Sequence, residues 1–424
     1  METDQTTIPQ PVVFKPFKKN QDVKEDYTDL LELMTRGLRL VHHMNLNYRH
    51  ISRNTNTIRS KDLHTPLDKL KLIDSLSIFF CQVDLHNNTI LQNISMKLKF
   101  LPSLRNLELR FYYSNWVSLE GVKHLASALA QLKSIKKLSL NFIYCEWVND
   151  DSLHLVLQSL KKNKNLQSLT LDIARCKNVN EKSFKRLASI FKHSLKALKE
   201  LSLGFASLDL PKGKPLDFLA SGLSCLKDLQ KLSIDFSNLK VPLQGFDFPF
   251  FMSSIKNITS LKILSLDFSY LYISLSVLKR LVLSFPSLIN LHTLALNFRS
   301  SSVLLGQEME VLSQGLQLLA SSLKSLTLDF RDSQNLNDQA LEKLSAGLKT
   351  LTNLSGITLQ CQNCVYLWNA GAESVINALG SLPNLDSAVL GFRASCRPII
   401  NTFYETVEAR RNLRNLPFNA NNCE

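Results

Sequence analysis

The segment Leu323-Lys-Ser-Leu326-Thr-Leu328-Asp-Phe330 places apolar residues at offsets 0, 3, 5 and 7, and the same pattern returns some thirty residues later. Copies open at Ile73, Leu104, Ile135, Leu166, Leu198, Leu229, Leu261, Leu291, Leu323, Leu354 and Leu385, with gaps of 30 to 32 residues. A period that regular marks a repeat array, in which each unit buries its apolar face only by stacking on its neighbours.

Each unit has two halves with different periods. The alternation Leu326-Thr-Leu328-Asp-Phe330 predicts a short strand with one buried face. Leu341, Leu344, Leu348 and Leu351 then predict one apolar face of a helix. Length differences fall in the loop between the two halves. In the shorter unit from Leu261 the helical set moves to Leu278, Leu281, Phe285 and Leu288, and in the unit from Leu229 it moves to Phe248, Phe251, Ile255 and Ile258 behind Pro242.

The expected organisation is a flexible polar leader over 1–26, an N-terminal cap with a degenerate first repeat over 27–72, the array over 73–412 and a C-terminal cap over 413–424. Within the cap, Leu30, Leu31, Met34 and Leu38 share one helical face from Tyr27 to Leu40, and Met44, Leu46 and Tyr48 fit the strand template. Leu413, Leu416 and Phe418 repeat the strand pattern at the far end.

A strand of the form LxxLxLxF followed by a helix resembles the leucine-rich repeat superfamily, and the period is most similar to its long, ribonuclease-inhibitor-like type. The resemblance covers about Val41 to Phe418. One departure concerns the polar turn residue that the family carries after the strand. Here it stands two places later, at offset 10, as Ser114, Cys145, Cys176, Ser301, Ser333 and Cys364, which resembles divergent protist members. The resemblance implies an α/β solenoid of about 11 to 13 strand-helix repeats, with a parallel sheet on the concave face and helices on the convex face. Physics points to the same horseshoe, because strands stack at about 4.8 Å whereas packed helices need about 10 Å.

Composition fits one elongated array. The 424 residues are 45% hydrophobic and 20% charged, ample for a continuous core. No run approaches the roughly 18 apolar residues of a membrane span, and the first twenty residues lack the apolar stretch of a signal peptide. The expectation is a soluble intracellular protein, cytoplasmic, with its eight cysteines reduced. Phosphate loops, nucleophile elbows, zincin motifs and kinase signatures are missing from the sequence, so no enzymatic activity, cofactor or small-molecule substrate is expected. Cys361 and Cys364 have the spacing of half a zinc site, but Cys361 stands at a core Phe position and Cys364 at the shared turn position, so packing accounts for both.

The expected function is recognition of another protein, of unspecified identity, by the face carrying offsets 4, 6 and 8. Offset 6 contributes Asp172, Asp235, Asp267 and Asp329, and offset 8 contributes Arg299, Arg331 and Arg393. These residues read either as selectivity columns or as ordinary polar cover, with the arginines paired to neighbouring carboxylates. Phe79, Arg110, Tyr112 and Ile143 put aromatic and apolar groups at positions that face water, and they form the expected anchor.

Charge adds a second reading. The chain carries a net +14, and Lys133 to Lys199 holds 14 Lys and Arg against 5 Asp and Glu. Lys133, Lys161, Lys162, Lys164, Lys192 and Lys196 fall where helices end, making an edge that could meet RNA or another acidic polymer. The competing account is that lysines there offset the helix macrodipole.

Overall fold

A computed structural model describes residues 26–27, 43–49, 73–81, 89–99, 101–115, 117–210, 214–240, 248–301, 306–393 and 396–415. Most of the expected leader and cap, and residues 416–424, lie outside these.

One parallel sheet runs through the molecule in strict chain order, so each strand pairs with the one before and the one after. Its strands are β1 (Asp26–Tyr27), β2 (His43–Arg49), β3 (Ser75–Cys81), β4 (Asn106–Tyr112), β5 (Lys137–Asn141), β6 (Ser168–Asp172) and β7 (Glu200–Gly204). They continue as β8 (Lys231–Asp235), β9 (Ile263–Asp267), β10 (Thr293–Asn297), β11 (Ser325–Asp329), β12 (Gly356–Gln360) and β13 (Ser387–Gly391). The sheet is open, with β1 and β13 at its ends. Tyr27, expected to start the cap helix, lies in β1 instead.

The connecting helices among the described residues are α1 (Thr89–Leu98), α2 (Leu119–Leu129), α3 (Asp150–Leu160), α4 (Glu181–His193), α5 (Pro215–Leu223) and α6 (Phe248–Ser254). They are followed by α7 (Leu275–Val282), α8 (Gly306–Gln317), α9 (Asp338–Leu348), α10 (Asn369–Gly380) and α11 (Arg397–Asn415). Leu413, placed in a last strand by the sequence pattern, lies in α11 instead, a helix that admits Pro398 in its first turn and buries Ile400, Phe403 and Val407 on one face; Leu416 and Phe418 lie outside the described residues. No helix among the described residues is long and apolar enough to cross a membrane.

The core follows the offsets. Leu323, Leu326, Leu328 and Phe330 are fully buried, while Ser325 and Thr327 between them are only half-buried. Offset 7 forms a continuous apolar column: Phe80 stacks on Phe111 with centroids 4.8 Å apart, and Phe268, Phe298 and Phe330 stack at 5.7 Å spacings. In-register pairing requires this alignment, since any slip would turn the leucine face outward.

After each strand the chain makes one tight turn. The residue at offset 9 has a positive φ in nine units, from 50° at Tyr113 to 62° at Asn363, although none is glycine. Such a conformation costs a side-chain-bearing residue about 1 kcal/mol or more. Two features hold it there. The offset-9 N–H donates to the offset-8 carbonyl of the next unit, as from Ser300 to Arg331 at 2.8 Å, and the residue at offset 10 is driven inward. Leu208, Leu239 and Leu271 at offset 10 are buried, and Cys145, Cys176, Ser333 and Cys364 donate from Sγ or Oγ to the offset-7 carbonyl of the preceding unit. Burial pushes the Cys145 thiol up to about 12 and Cys364 up to about 11, so both remain neutral donors.

Candidate functional site

Helices cover one face of the sheet and leave the other open. The open face is bounded by an amino edge, where strands begin, and a carboxyl edge, where the positive-φ turns stand. Side chains at offsets 4, 6 and 8 lie on it, as the alternation requires.

Its first units carry the expected anchor. Phe79 and Arg110 are register neighbours on β3 and β4, and Tyr112 sits two residues beyond Arg110 on the same strand face. Tyr112 meets Tyr113 edge-on at 4.7 Å, and Tyr113 stacks on Tyr144 at 4.2 Å with 17° between their planes. The Arg175 guanidinium lies 4.6 Å from the centre of the Tyr144 ring. Arg110 is exposed and tied to Glu108 at 2.6 Å. Phe79, Tyr112 and Ile143 are half-buried and Tyr113 is exposed, so the group is a contiguous aromatic patch with two cations, wrapping from the open face onto the carboxyl edge.

The sequence pattern points to Phe79, Arg110, Tyr112 and Ile143 on this face but not to Tyr113, Tyr144 and Arg175 beside them. Strict alternation assigns offset 9 to the buried face, and only the positive-φ turn brings these side chains out beside Tyr112. Beyond them the turn rows at offsets 9 and 11 line a groove of about 590 Å³ that includes Tyr113, Tyr144, Arg175, Lys177, Asp209 and Lys240. Most of the remaining exposed aromatic side chains stand on this same edge: Tyr270, Tyr272, Tyr366 and Trp368, the last with Arg393 at 4.9 Å from its ring.

The offset-6 row has a structural duty that the sequence did not disclose, where the row read as selectivity columns or as polar cover. Asp172, Asp235, Asp267 and Asp329 each accept, through Oδ1, the backbone N–H two residues on, at 2.8 to 3.0 Å. Asn141 and Asn297 do the same, and their amides also donate sideways to Asp172 and Asp267. These side chains terminate the strands, and Asp172 and Asp267 are further engaged across the sheet. Arg331 forks onto Asp329 of its own strand, and Arg299 pairs at 2.7 Å with Asp332 in the next unit's turn. Arg393 donates to the Val365 carbonyl as well as lying over Trp368.

Asp172 leans across β7 over Gly204, where an added Cβ would crowd its carboxylate. Burial raises the Asp172 carboxyl to about 6, opposed by the Ala174 N–H and reinforced by the charge of Asp235. Asp235 is also raised, chiefly by burial. A folded-state value above the ordinary 3.8 means that the folded chain holds this proton in a range where the unfolded chain has released it. The group therefore stabilises the fold at low pH and loses that contribution as pH rises through about 6. Wild type should gain stability relative to Asp172→Asn as pH falls from 7 towards 4, measured by thermal melts. A difference that is flat with pH would show that Asp172 titrates normally.

On the amino edge, Lys133, Lys164 and Lys196 stand two residues before successive repeat starts, while Lys161 caps α3 and Lys192 lies in the last turn of α4. Lys133 and Lys196 donate to helix-end carbonyls, of Ala130 at 3.2 Å and Cys225 at 3.4 Å, as the macrodipole account requires. Among the described residues no group of His, Cys, Asp and Glu could hold a metal ion. No known family model matches this sequence, and no curated protein matches it either.

Proposed function

We propose that the chain is a solenoid of the leucine-rich repeat type that recognises another protein, without catalysis, through the open face of its sheet. The observation that carries this reading is the aromatic patch of Phe79, Tyr112, Ile143, Tyr113 and Tyr144, edged by Arg110 and Arg175. Tyr, Trp and Arg are the residues that dominate interface energetics, because they bury large areas at small entropic cost and keep a polar handle. A rigid parallel sheet holds them in register before any partner arrives, which reduces the ordering cost of binding. Asp235, Asp267, Asp329 and the arginines Arg299, Arg331 and Arg393 then orient the partner along the later units. Charged groups already held by neighbours, as Arg331 is by Asp329 and Arg299 by Asp332, suit a role in selectivity more than in raw affinity.

The test is substitution of Tyr112 by Ala in the full chain. Native affinity capture identifies a partner, and calorimetric titration measures it. Tyr112→Ala should weaken binding by about 2 kcal/mol while leaving the melting temperature close to wild type. Unchanged affinity with a lowered melting temperature would instead make the patch an internal packing element.

A further inference from the structure

The geometry points to a second working surface on the amino edge, a trough that binds the phosphodiester backbone of nucleic acid without reading its bases. This inference is independent of protein recognition at the carboxyl edge and involves different residues.

The trough is built from three columns that the repeat brings into line. Its floor is small: Ser103, Ser134, Asn165 and Ala197, each one residue before a repeat start, line a cavity of about 950 Å³. One wall holds Lys133, Lys164, Lys196 and Lys227, two residues before successive starts. The other wall lies one residue after the start and reads Arg105, Lys136, Gln167, Lys199, Gln230, Lys262, His292 and Lys324. Each of these eight residues can donate a hydrogen bond and none is a carboxylate; the same column carries Asp74 before Arg105, lining the same cavity, and Ser355 and Asp386 after Lys324, so the donor run is bounded at both ends. Their spacing is fixed by the backbone, because each N–H donates to the corresponding carbonyl of the preceding unit at 2.7 to 2.9 Å.

Helix electrostatics account for the first wall only. Lys133, Lys196 and Lys227 do reach helix-end carbonyls, each leaving further N–H donors for a ligand. The second wall stands at strand starts, where no helix dipole acts, and sets Arg105 beside Lys136 on adjacent rungs about 4.8 Å apart. Like charges placed side by side weaken a sheet, and an anion lying along the column relieves that repulsion.

Charge density selects the occupant. From Arg105 to Lys262 the two walls present the cations Arg105, Lys133, Lys136, Lys164, Lys196, Lys199, Lys227 and Lys262, against one carboxylate, Asp228, in the floor column. Six rungs set about 4.8 Å apart span about 24 Å, giving roughly one cation per 3 Å. A nucleic-acid strand carries one phosphate per 3.4 Å of duplex axis. An extended acidic polypeptide offers one face a carboxylate only every 6.6 Å or so, about half that density. Lys, Arg, Ser, Asn and Gln are also the side chains that contact phosphates. Tyr113, Tyr270, Tyr272, Tyr366 and Trp368 are exposed at the opposite edge, so stacking on bases plays no part here.

The experiment is fluorescence anisotropy with the full chain and three probes: a fluorescein-labelled 20-base-pair RNA duplex, the matching DNA duplex and a labelled 20-residue polyglutamate. Both duplexes should bind, with affinity falling linearly in log-log form between about 50 and 200 mM salt. The variant R105Q/K136Q/K199Q/K262Q should bind them about 100-fold more weakly at low salt, with a slope shallower by about 3 to 4. K177Q/K240Q, a charge change on the other edge, should stay within about twofold of wild type. Circular dichroism confirms folding; if the quadruple variant is unfolded, R105Q/K136Q alone should lose about tenfold. Three results overturn the inference: a folded wall variant that binds like wild type, a K177Q/K240Q variant as damaged as the wall variant, or polyglutamate bound as tightly as the duplexes. The last would make an acidic polypeptide the occupant.

Discussion

Phe298→Ala should destabilise the array by about 4 kcal/mol, near the upper end for removal of a buried ring. The ring is fully buried and stacks at 5.7 Å on both Phe268 and Phe330, at 20° and 7° between planes. Its loss forfeits transfer free energy, leaves a cavity between two rigid rungs and breaks two aromatic contacts at once. The backbone ladder fixes the rung spacing, so neighbouring units cannot close the gap. A solenoid unit touches only its neighbours, so the damage should also be local. Amide exchange should quicken most in the units opening at Leu261, Leu291 and Leu323, while urea unfolding reports the total loss. A cost below 1 kcal/mol would show that the column is a by-product of the repeat and carries little of the stability.

The second large effect should come from a helix position where intrinsic propensity gives the wrong sign. Gly347 lies in α9, and replacing a helical Gly by a larger residue ordinarily gains up to about 1 kcal/mol. Here a Cβ would fall 2.5 Å from the carbonyl oxygen of Ser313 and 2.8 Å from its Cα, both backbone atoms of α8 that cannot rotate away. Gly347→Leu should therefore cost about 3 kcal/mol, because α8 and α9 must part or tilt to admit the side chain. Gly347→Ala should already be destabilising. A Cβ at Gly380, at the end of α10, would meet no atom within 4 Å, so Gly380→Ala should be neutral or slightly stabilising. Equal behaviour of the two Ala variants in chemical denaturation would refute close helix approach as the reason for Gly347.

These variants separate the core from the surfaces proposed for binding. Phe111 and Tyr112 are adjacent in sequence, yet Phe111 is fully buried in the offset-7 column whereas Tyr112 joins the patch. Truncating the first should lower stability, and truncating the second should lower partner affinity.

Much of the fold was legible because burial writes itself into the sequence with a short period. Leu104, Leu107, Leu109 and Phe111 declare a strand and its inner face without reference to any other unit, and Val122, Leu125 and Leu129 declare a helix. The same alternation located Phe79, Arg110, Tyr112 and Ile143 on the open face. It failed at offset 9. Asn238, Asp332 and Asn363 are residues that tolerate a positive φ, but Tyr113, Tyr144 and Tyr270 carry no such signal. There the conformation is imposed from outside, by the next unit's carbonyl and by burial of offset 10, so residue type is a poor guide.

What the sequence by itself determined is the period, the order of strand and helix, the buried columns and the excess of positive charge, since each is carried by residue types at fixed positions along the chain. The tertiary structure alone decided that Tyr113, Tyr144 and Arg175 gather beside Tyr112, that the Asp row closes strand ends, and that two donor columns face each other across a small-residue floor. Those arrangements join residues about thirty positions apart through hydrogen bonds between successive units, and a one-dimensional pattern carries no record of which side chains the parallel register sets side by side.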